Sequence, residues 1–457
     1  MEANIKKNSQ VTITIEDIGS EGEGIGKYNG YTLFVKDTVI GDKVLVNVMK
    51  AGKTYGYARM VELIEPSSSR VKPRCPIADK CGGCQLMHMD YNKQIEYKEN
   101  KVRNSLTRIG GFKNFNMEPI CVMEEPYNYR NKSQFPVGRN KDGTIAIGFY
   151  AGRTHSIIDT DECHIGARIN IDIIRYIRSF IEQYHIEPYD EVTHKGLLRH
   201  IMTRVGFVSG EVMVCIVING RNMPHKEALV EGLSKLPGMK SICLNINTEH
   251  TNAILGGRII PLWGEPYITD NIGPIRYRIS PLSFYQVNPV QTKKLYDITL
   301  DYAGLTGNEV VWDLYCGIGT ISLFLAQKAK KVFGVEIIPQ AIEDAKTNAA
   351  INGINNAEFL VGAAEEVLPR KYKEEGIHAD VIVVDPPRKG CDQSLLDTIL
   401  AMEPKKIVYV SCDPATLARD LKYLCEKDYE LVKIRAVDQF AHSVHVETIV
   451  ALHRTSS

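Results

Sequence analysis

The chain opens with short alternating apolar runs separated by glycine. Val11-Thr12-Ile13-Thr14-Ile15 alternates, Gly19 to Gly30 is glycine-rich, and Tyr31–Val35 and Lys43–Val48 follow before the pattern ends near Val61. A period of two predicts half-buried strands, and five short ones predict a small OB-like β-barrel. Pro66-Ser67-Ser68-Ser69-Arg70 reads as a polar linker. From Tyr91 to Ile109 apolar residues recur at helical spacing up to Gly110-Gly111, which predicts a helix that packs on a unit it does not adjoin in sequence. Residues 118–270 alternate strands (Ile145–Phe149, Ile201–Val205, Val212–Ile218) with helices such as His225–Ser234, an α+β pattern. Beyond Ile275 the rhythm is strand then helix, with strands at Val310–Leu314, Lys331–Val335, Ala357–Val361, Val381–Val384 and Ile407–Val410, which predicts a parallel sheet. The expected architecture is multidomain α/β: a barrel over 1–65, a central α+β domain over 66–274, and a doubly wound domain over 275–457.

Composition narrows the class. The 457 residues are 44% hydrophobic, ample for several cores, and no apolar stretch is long enough to span a bilayer. Met1 to Gln10 is polar, so secretion is not expected. Eleven cysteines without an export signal point to a reducing cytoplasm and to metal or catalytic roles. The net charge of zero excludes a bulk polycation, yet Arg70 to Lys141 holds 14 Lys or Arg against 7 Asp or Glu. A basic run alone reads first as a solvated face. Aromatics interleaved with it, as in Tyr127-Asn128-Tyr129-Arg130-Asn131-Lys132-Ser133-Gln134-Phe135, turn the reading toward RNA, whose unpaired bases stack on such rings.

Five stretches carry candidate chemistry. Cys75, Cys81 and Cys84, spaced by six and three and relaxed by Gly82-Gly83, can wrap thiolates around one soft metal centre, with Cys163 the candidate fourth ligand. Zinc knuckles usually pair two CxxC motifs, so with only one CxxC a zinc site would have to borrow a distant Cys or His, and a radical cluster uses CxxxCxxC. Tyr315-Cys316-Gly317-Ile318-Gly319 follows a strand, where glycines let backbone approach a ligand, and Glu336 ends the next strand, where a carboxylate can accept both ribose hydroxyl protons. Asp385-Pro386-Pro387-Arg388 ends the fourth strand in a stiff turn. Cys412 sits at the carboxyl end of a strand just ahead of a helix, where the helix dipole would favour a nucleophilic thiolate; an inert core cysteine is the plain alternative. His442, His445 and Glu447 are spaced wrongly for a helical metal site, so base or structural roles fit them better.

These residues resemble a family. "IEDIGSEGEGIGKYNGYTLFVKDTVIGDKV" resembles the TRAM domain, an RNA-binding barrel, and "DLYCGIGT", "DPPRKG", "VSCDPATLARD" and "DQFAHSVHVE" are similar to signature runs of the S-adenosylmethionine (AdoMet)-dependent RNA m5U methyltransferases, whose catalytic domain is Rossmann-like. CxxxxxCxxC with a distant cysteine resembles the [4Fe-4S] site of the enzymes acting on 23S rRNA. The resemblance implies Cys412 as nucleophile, Glu447 as base, and Gln286, Tyr315, Gly317, Gly319, Glu336 and Asp385 at the AdoMet site. It implies a cluster on Cys75, Cys81, Cys84 and Cys163, and RNA contacts at Arg130, Lys132, Gln134, Arg199 and His200. Ala363 and Thr320 depart from the family pattern.

The implied reaction is methylation of uridine C5 in 23S rRNA, at the sites conventionally numbered 747 or 1939, by a cytoplasmic monomer. Uracil C5 is a weak nucleophile; thiolate addition at C6 makes an enolate that concentrates charge on C5, and a base must later remove the C5 proton. The target would be flipped out of folded RNA. A tRNA m5U or RNA m5C methyltransferase is the alternative enzyme, and an iron-sulfur RNA-binding module without turnover is the alternative outside catalysis.

Overall fold

The computed structural model describes residues 5–152 and 154–455. Met1–Asn4, Arg153, Ser456 and Ser457 lie outside them, so the polar start of the chain is described only from Ile5.

Strands β1 (Gln10–Ile18), β2 (Gly24–Tyr28), β3 (Tyr31–Val35), β4 (Lys43–Ala51) and β5 (Tyr55–Glu65) close into a barrel in the order β1-β2-β3-β5-β4. The alternation is what fills it: Ile13, Ile15, Leu33, Val35, Val44, Val46 and Val48 point inward and are buried. Its core runs on into Leu86, Met89 and Val444, so the barrel is seated on the rest of the molecule through apolar contact.

Helix α1 (Tyr91–Arg108) and strand β6 (Met117–Cys121) follow. A seven-stranded sheet comes next, ordered β13-β12-β11-β10-β7-β8-β9. Its strands are β7 (Lys132–Arg139), β8 (Ile145–Tyr150), β9 (Ile157–Asp159), β10 (Leu198–Val205), β11 (Val212–Ile218), β12 (Met239–Ile246) and β13 (Arg258–Gly264). Helices α2 (Asn170–Gln183) and α3 (Lys226–Leu233) cover it through Ile173, Ile177, Phe180 and Leu229. A hairpin of β14 (Ile268–Ile272) and β15 (Ile275–Ile279) then leads into the last unit.

That unit is an eight-stranded sheet ordered β18-β17-β16-β19-β20-β22-β21-β6. Helix α4 (Pro289–Ala303) precedes β16 (Val310–Leu314), α5 (Thr320–Ala326), β17 (Lys331–Glu336), α6 (Pro339–Ile351), β18 (Ala357–Val361), α7 (Ala364–Glu375), β19 (Val381–Val384), α8 (Gln393–Met402), β20 (Lys406–Ser411), α9 (Pro414–Cys425), β21 (Tyr429–Val437) and β22 (Glu447–Arg454). Strands β16 to β20 pair in parallel, as the β-branched runs between helices predict, and β22 inserts antiparallel to β20 and β21. The inner strands β16, β19 and β20 are buried along most of their length, so they are mostly apolar rather than alternating.

The domain borders differ from the expected ones in two places. Residues 91–121 belong to the last unit: β6 pairs in parallel with β21, and α1 sets Val102 and Leu106 into the same core as Leu417 and Leu421 of α9. The hairpin β14-β15 also joins that unit, through Ile268, Ile275 and Tyr277. The physical reason is that the last sheet ends on β21, whose outer edge would be unpaired without β6.

Candidate active site

Strand order decides which side chains meet. β16, β17, β19 and β20 are parallel, so their carboxyl ends lie at one edge of the sheet, and β22 begins at that edge because it runs the other way. Its register with β20 pairs Ser411 with Thr448, which sets Cys412 beside Glu447, each one residue further along. Asp385 follows β19, the neighbour of β20. All three line one cleft of about 910 Å³ together with Gln286, Tyr315, Gly317 and Glu336.

Local chemistry holds each group in place. Asp413 caps α9 by accepting from the amides of Ala415 and Thr416 at 2.9 and 3.0 Å, and this fixes the turn that carries Cys412. Glu336 accepts from the amides of Gly317 and Ile338 at 3.2 and 3.0 Å. Tyr315 adopts φ 70°, an uncommon left-handed conformation for a tyrosine, where the chain leaves β16 for the glycine turn. Gly319, by contrast, does not reach the cleft wall: it precedes α5 at φ 81°, where a Cβ would press on Phe359 at 3.1 Å.

The electrostatics depart from the sequence expectation for Cys412. Burial, then the carboxylates of Glu447 and Asp385, push its thiol up to about 12, against the opposing pull of Arg388. The dipole of one short helix does not outweigh burial beside two acids. Glu447 is raised to about 8 by burial and by Asp385, again opposed by Arg388, and burial raises Asp385 to about 7. The thiol therefore rests beside two acids raised by burial that can take its proton only in their ionised forms, with the Arg388 guanidinium favouring the charged forms of Cys412 and Glu447.

The loop before Glu447 is held by groups that sequence reading did not single out. Lys98 and Asp438 are fully buried and paired at 2.5 Å, and Tyr91 donates its hydroxyl to the other carboxylate oxygen at 2.7 Å. Lys98 also donates to the carbonyl of Phe440 at 2.8 Å. Tyr129 donates to the carbonyl of Ala441, Leu86 to that of His442, and Gln94 accepts from the amide of His442. The available signal was helical phase: Gln94 and Lys98 stand on the stripe of Val102 and Leu106. Arg388 and His445, 3.5 Å apart, also line the cleft, and His445 is driven to about 4 by burial and neighbouring cations, which leaves it neutral.

The second cluster lies next door. Cys75, Cys81, Cys84 and Cys163 line one pocket of about 280 Å³, which shares Gly83, Arg130 and Ile165 with the cleft. Among the described residues no group of three or more His, Cys, Asp or Glu is arranged to hold a metal ion. All eleven cysteines are free of disulfides. Of the expected RNA contacts, Arg130 faces both cavities, Gln134 lines the four-cysteine pocket, and Lys132 is half-buried and pushed down to about 8 by burial, Arg204 and Arg130. Arg199 turns inward, donating to the carbonyls of Asn247 and Glu249 and lying over Tyr189, while His200 also lines the four-cysteine pocket and meets the Tyr150 hydroxyl at 3.3 Å.

Comparison with known proteins agrees with this geometry. Residues 90–455 match the model of the tRNA (uracil-5-)-methyltransferase family, and residues 6–61 match the TRAM domain. An uncharacterized RNA methyltransferase of Clostridium tetani is 50% identical, covering 98% of this chain and 97% of the relative. One from Halalkalibacterium halodurans is also 50% identical, over 99% and 98%. The Pyrococcus abyssi tRNA (uracil-54, C5)-methyltransferase in complex with S-adenosyl-L-homocysteine superimposes with a TM-score of 0.79 at 29% identity, covering 97% of this chain and all of that one. A tRNA enzyme therefore shares the whole architecture, and the barrel cannot by itself distinguish a ribosomal from a transfer RNA substrate. No helix among the described residues is long and apolar enough to cross a membrane. The chain belongs to the tRNA (uracil-5-)-methyltransferase family and carries a TRAM domain.

Proposed function

We propose that this protein methylates C5 of a uridine in 23S rRNA through a covalent bond between Cys412 and C6 of the base. The observation that carries the reading is the β20-β22 register, which sets a thiol beside a buried carboxyl group in a cleft that also holds Glu336 and the Gly317 turn. AdoMet supplies an electrophilic methyl group on a sulfonium. Its binding fits a cleft in which Glu336 can accept from ribose hydroxyls, Gly317 allows close backbone approach, and Gln286, Tyr315 and Asp385 stand around.

The chain's own groups then divide the work. Cys412 gives its proton to a neighbouring carboxylate and adds to C6, so that the electron pair of the C5–C6 bond moves toward O4 and charge collects on C5. After C5 is methylated, Glu447, having passed any proton taken from Cys412 to solvent, takes the C5 proton as a carboxylate, the double bond re-forms and the thiolate leaves. Arg388 favours the anionic forms of both groups.

A [4Fe-4S] cluster on Cys75, Cys81, Cys84 and Cys163 is part of the proposal. Support for it comes from the four thiols that line one cavity of about 280 Å³ and from the cysteine spacing. The cysteine pattern resembles the ribosomal enzymes and favours 23S rRNA, at uridine 747 or 1939. The full-length likeness to a tRNA enzyme supports a second reading, tRNA uridine. Mass mapping of 5-methyluridine in both RNAs from a deletion strain decides: loss from 23S rRNA supports the first reading, loss from tRNA alone supports the second, and loss from neither overturns both.

A further inference from the structure

The runs DPPRKG and VSCDPATLARD are tied to each other by side chains that never reach the cleft. Cys412 stands at the head of α9, and on the first two turns of that helix Thr416, Arg419 and Asp420 face the turn 385–391 that follows β19. Thr416 donates its hydroxyl to the carbonyl of Arg388 at 3.1 Å. Arg419 donates to the carbonyls of Lys389 and Cys391 at 2.9 and 3.3 Å, and Asp420 accepts from the amide of Cys391 at 2.9 Å. Asp420 is itself anchored: it is buried, Tyr409 of β20 donates its hydroxyl to the same oxygen at 2.6 Å, and Arg419 pairs with the other at 2.7 Å. Gly390 completes the fit, since it adopts φ 77° and a Cβ there would meet both Arg419 and Asp420 at 2.6 Å.

What the turn carries gives these contacts a consequence. Arg388 lines the cleft and is the cation that opposes the upward shifts of both Cys412 and Glu447. Asp385 and Asp413 also face Cys412, while Arg388 is met by neutral His445 at 3.5 Å and, from the side of α1 and the barrel, by the charges of Lys98, Lys101 and Glu21. The Arg388 guanidinium is in no ion pair among the described residues, so its backbone is what fixes it. Charge interactions weaken with distance and with access of water, so a guanidinium on a loose turn would do little for either acid. The cap at Asp413 already ties Cys412 to α9. One helix therefore places both the thiol and the cation that faces it.

We propose that Thr416, Arg419 and Asp420 are positioning residues that lock the turn 385–391 onto α9 and so keep Arg388 directed at Cys412 and Glu447. The inference rests on the catalytic reading above and adds to it three residues that touch neither substrate nor cofactor. With the turn locked, the thiolate and the carboxylate form against a positive charge already in place, which costs no rearrangement when they form. With the turn released, Arg388 moves into water and its charge is screened.

The test reads the thiol itself in the full-length protein without AdoMet or RNA. Alkylation by iodoacetamide is followed against pH by mass spectrometry of the peptide that bears Cys412, because the rate tracks the thiolate fraction. Arg388→Ala should displace the profile upward by about one pH unit, the order expected for loss of a neighbouring opposite charge. Thr416→Val with Arg419→Ala should displace it in the same direction and, combined with Arg388→Ala, should add nothing further, since all three then act through one guanidinium. Thr416→Ser keeps the hydroxyl and should match the parent, as should Lys422→Ala on the exposed side of the same helix. Asp420→Asn extends the test to the buried carboxylate; should it fail to fold, the double variant decides alone. A purely structural clamp would lower the unfolding temperature and leave the profile in place. That result, a shift that adds fully to that of Arg388→Ala, or no shift from Arg388→Ala itself would each overturn the proposal. Failure of Cys412 to form an adduct with 5-fluorouridine RNA would count against the catalytic reading and leave these alkylation shifts in place.

Discussion

Two neighbouring cavities in this molecule are lined by half-buried thiols, and their neighbours set them apart. In the cleft, Cys412 stands among Glu447, Asp385 and Arg388; in the adjoining pocket, Cys84 is pushed up by burial and then by Cys163, Cys81 and Cys75. A lone thiol beside carboxyl groups has somewhere to send its proton, which is what a nucleophile needs. Four thiols around one cavity raise one another, with Glu162 and Asp79 beside Cys75 and with the cations Lys36 near Cys81 and Arg130 near Cys84 opposing, so a multiply charged metal centre is what would stabilise their ionised forms. Burial of a cysteine is thus uninformative alone; the charges facing it carry the functional meaning.

The largest effect should come from the four-thiol pocket. Protein prepared without oxygen is expected to be brown, with iron and sulfide near four per chain, and Cys81→Ala should lose the colour, thermal stability and RNA binding before AdoMet affinity. Stoichiometric zinc without iron, or an unaffected Cys81→Ala protein, would collapse the contrast between the two cavities.

On the cleft side, the buried Lys98–Asp438 pair holds the loop that delivers Glu447. Lys98→Met leaves Asp438 without its cation and should cost about 3–5 kcal/mol of stability in urea unfolding, the usual penalty for breaking a buried pair from one side. A loss no larger than that of a surface lysine would mean the loop is held by its other contacts. Glu336→Ala should weaken AdoMet by about 1.5–3 kcal/mol in calorimetry, the worth of a charge-assisted hydrogen bond, with RNA affinity unchanged. Undiminished AdoMet binding would remove Glu336 from the site.

The smallest effect is a slope. Glu447 is raised from 4.5 to about 8, so between those values the folded protein holds a proton that the unfolded chain has released. Stability contributed by this group is therefore present below pH 4.5 and is lost as pH rises toward 8, by at most about 1.4 kcal/mol per pH unit. Glu447→Gln should flatten that part of a pH series of unfolding curves, measured without AdoMet. An unchanged slope would place the titration elsewhere.

Much of this arrangement was legible in the sequence because the fold makes local patterns meet. Strand ends in a parallel sheet share one edge, so Gly317, Glu336, Asp385 and Cys412 could be collected from the ends of successive β-branched runs. Glu447 required the family likeness, since only the antiparallel insertion of β22 brings it to that edge. The Lys98–Asp438 pair stayed hidden because its partners lie 340 residues apart and a lysine on a helix reads as solvated. Arg199 and His200 read as RNA contacts by likeness, and the fold buries both, Arg199 against backbone carbonyls and His200 in the wall of the four-cysteine pocket beside the Tyr150 hydroxyl. The elevated thiol of Cys412 was also out of reach, because helix position is visible in a sequence and the acids across the sheet are not.

The covalent sequence is tested most directly by trapping the protein–RNA conjugate in parallel on two variants, with labelled methyl from AdoMet. Cys412→Ala is predicted to give no band in denaturing electrophoresis. Glu447→Gln is predicted to attack, to acquire the methyl label and to stall as a conjugate, as the unmodified enzyme should with 5-fluorouridine RNA. Near-normal turnover by Cys412→Ala, or release of methylated RNA at an ordinary rate by Glu447→Gln, would contradict the roles given to both residues.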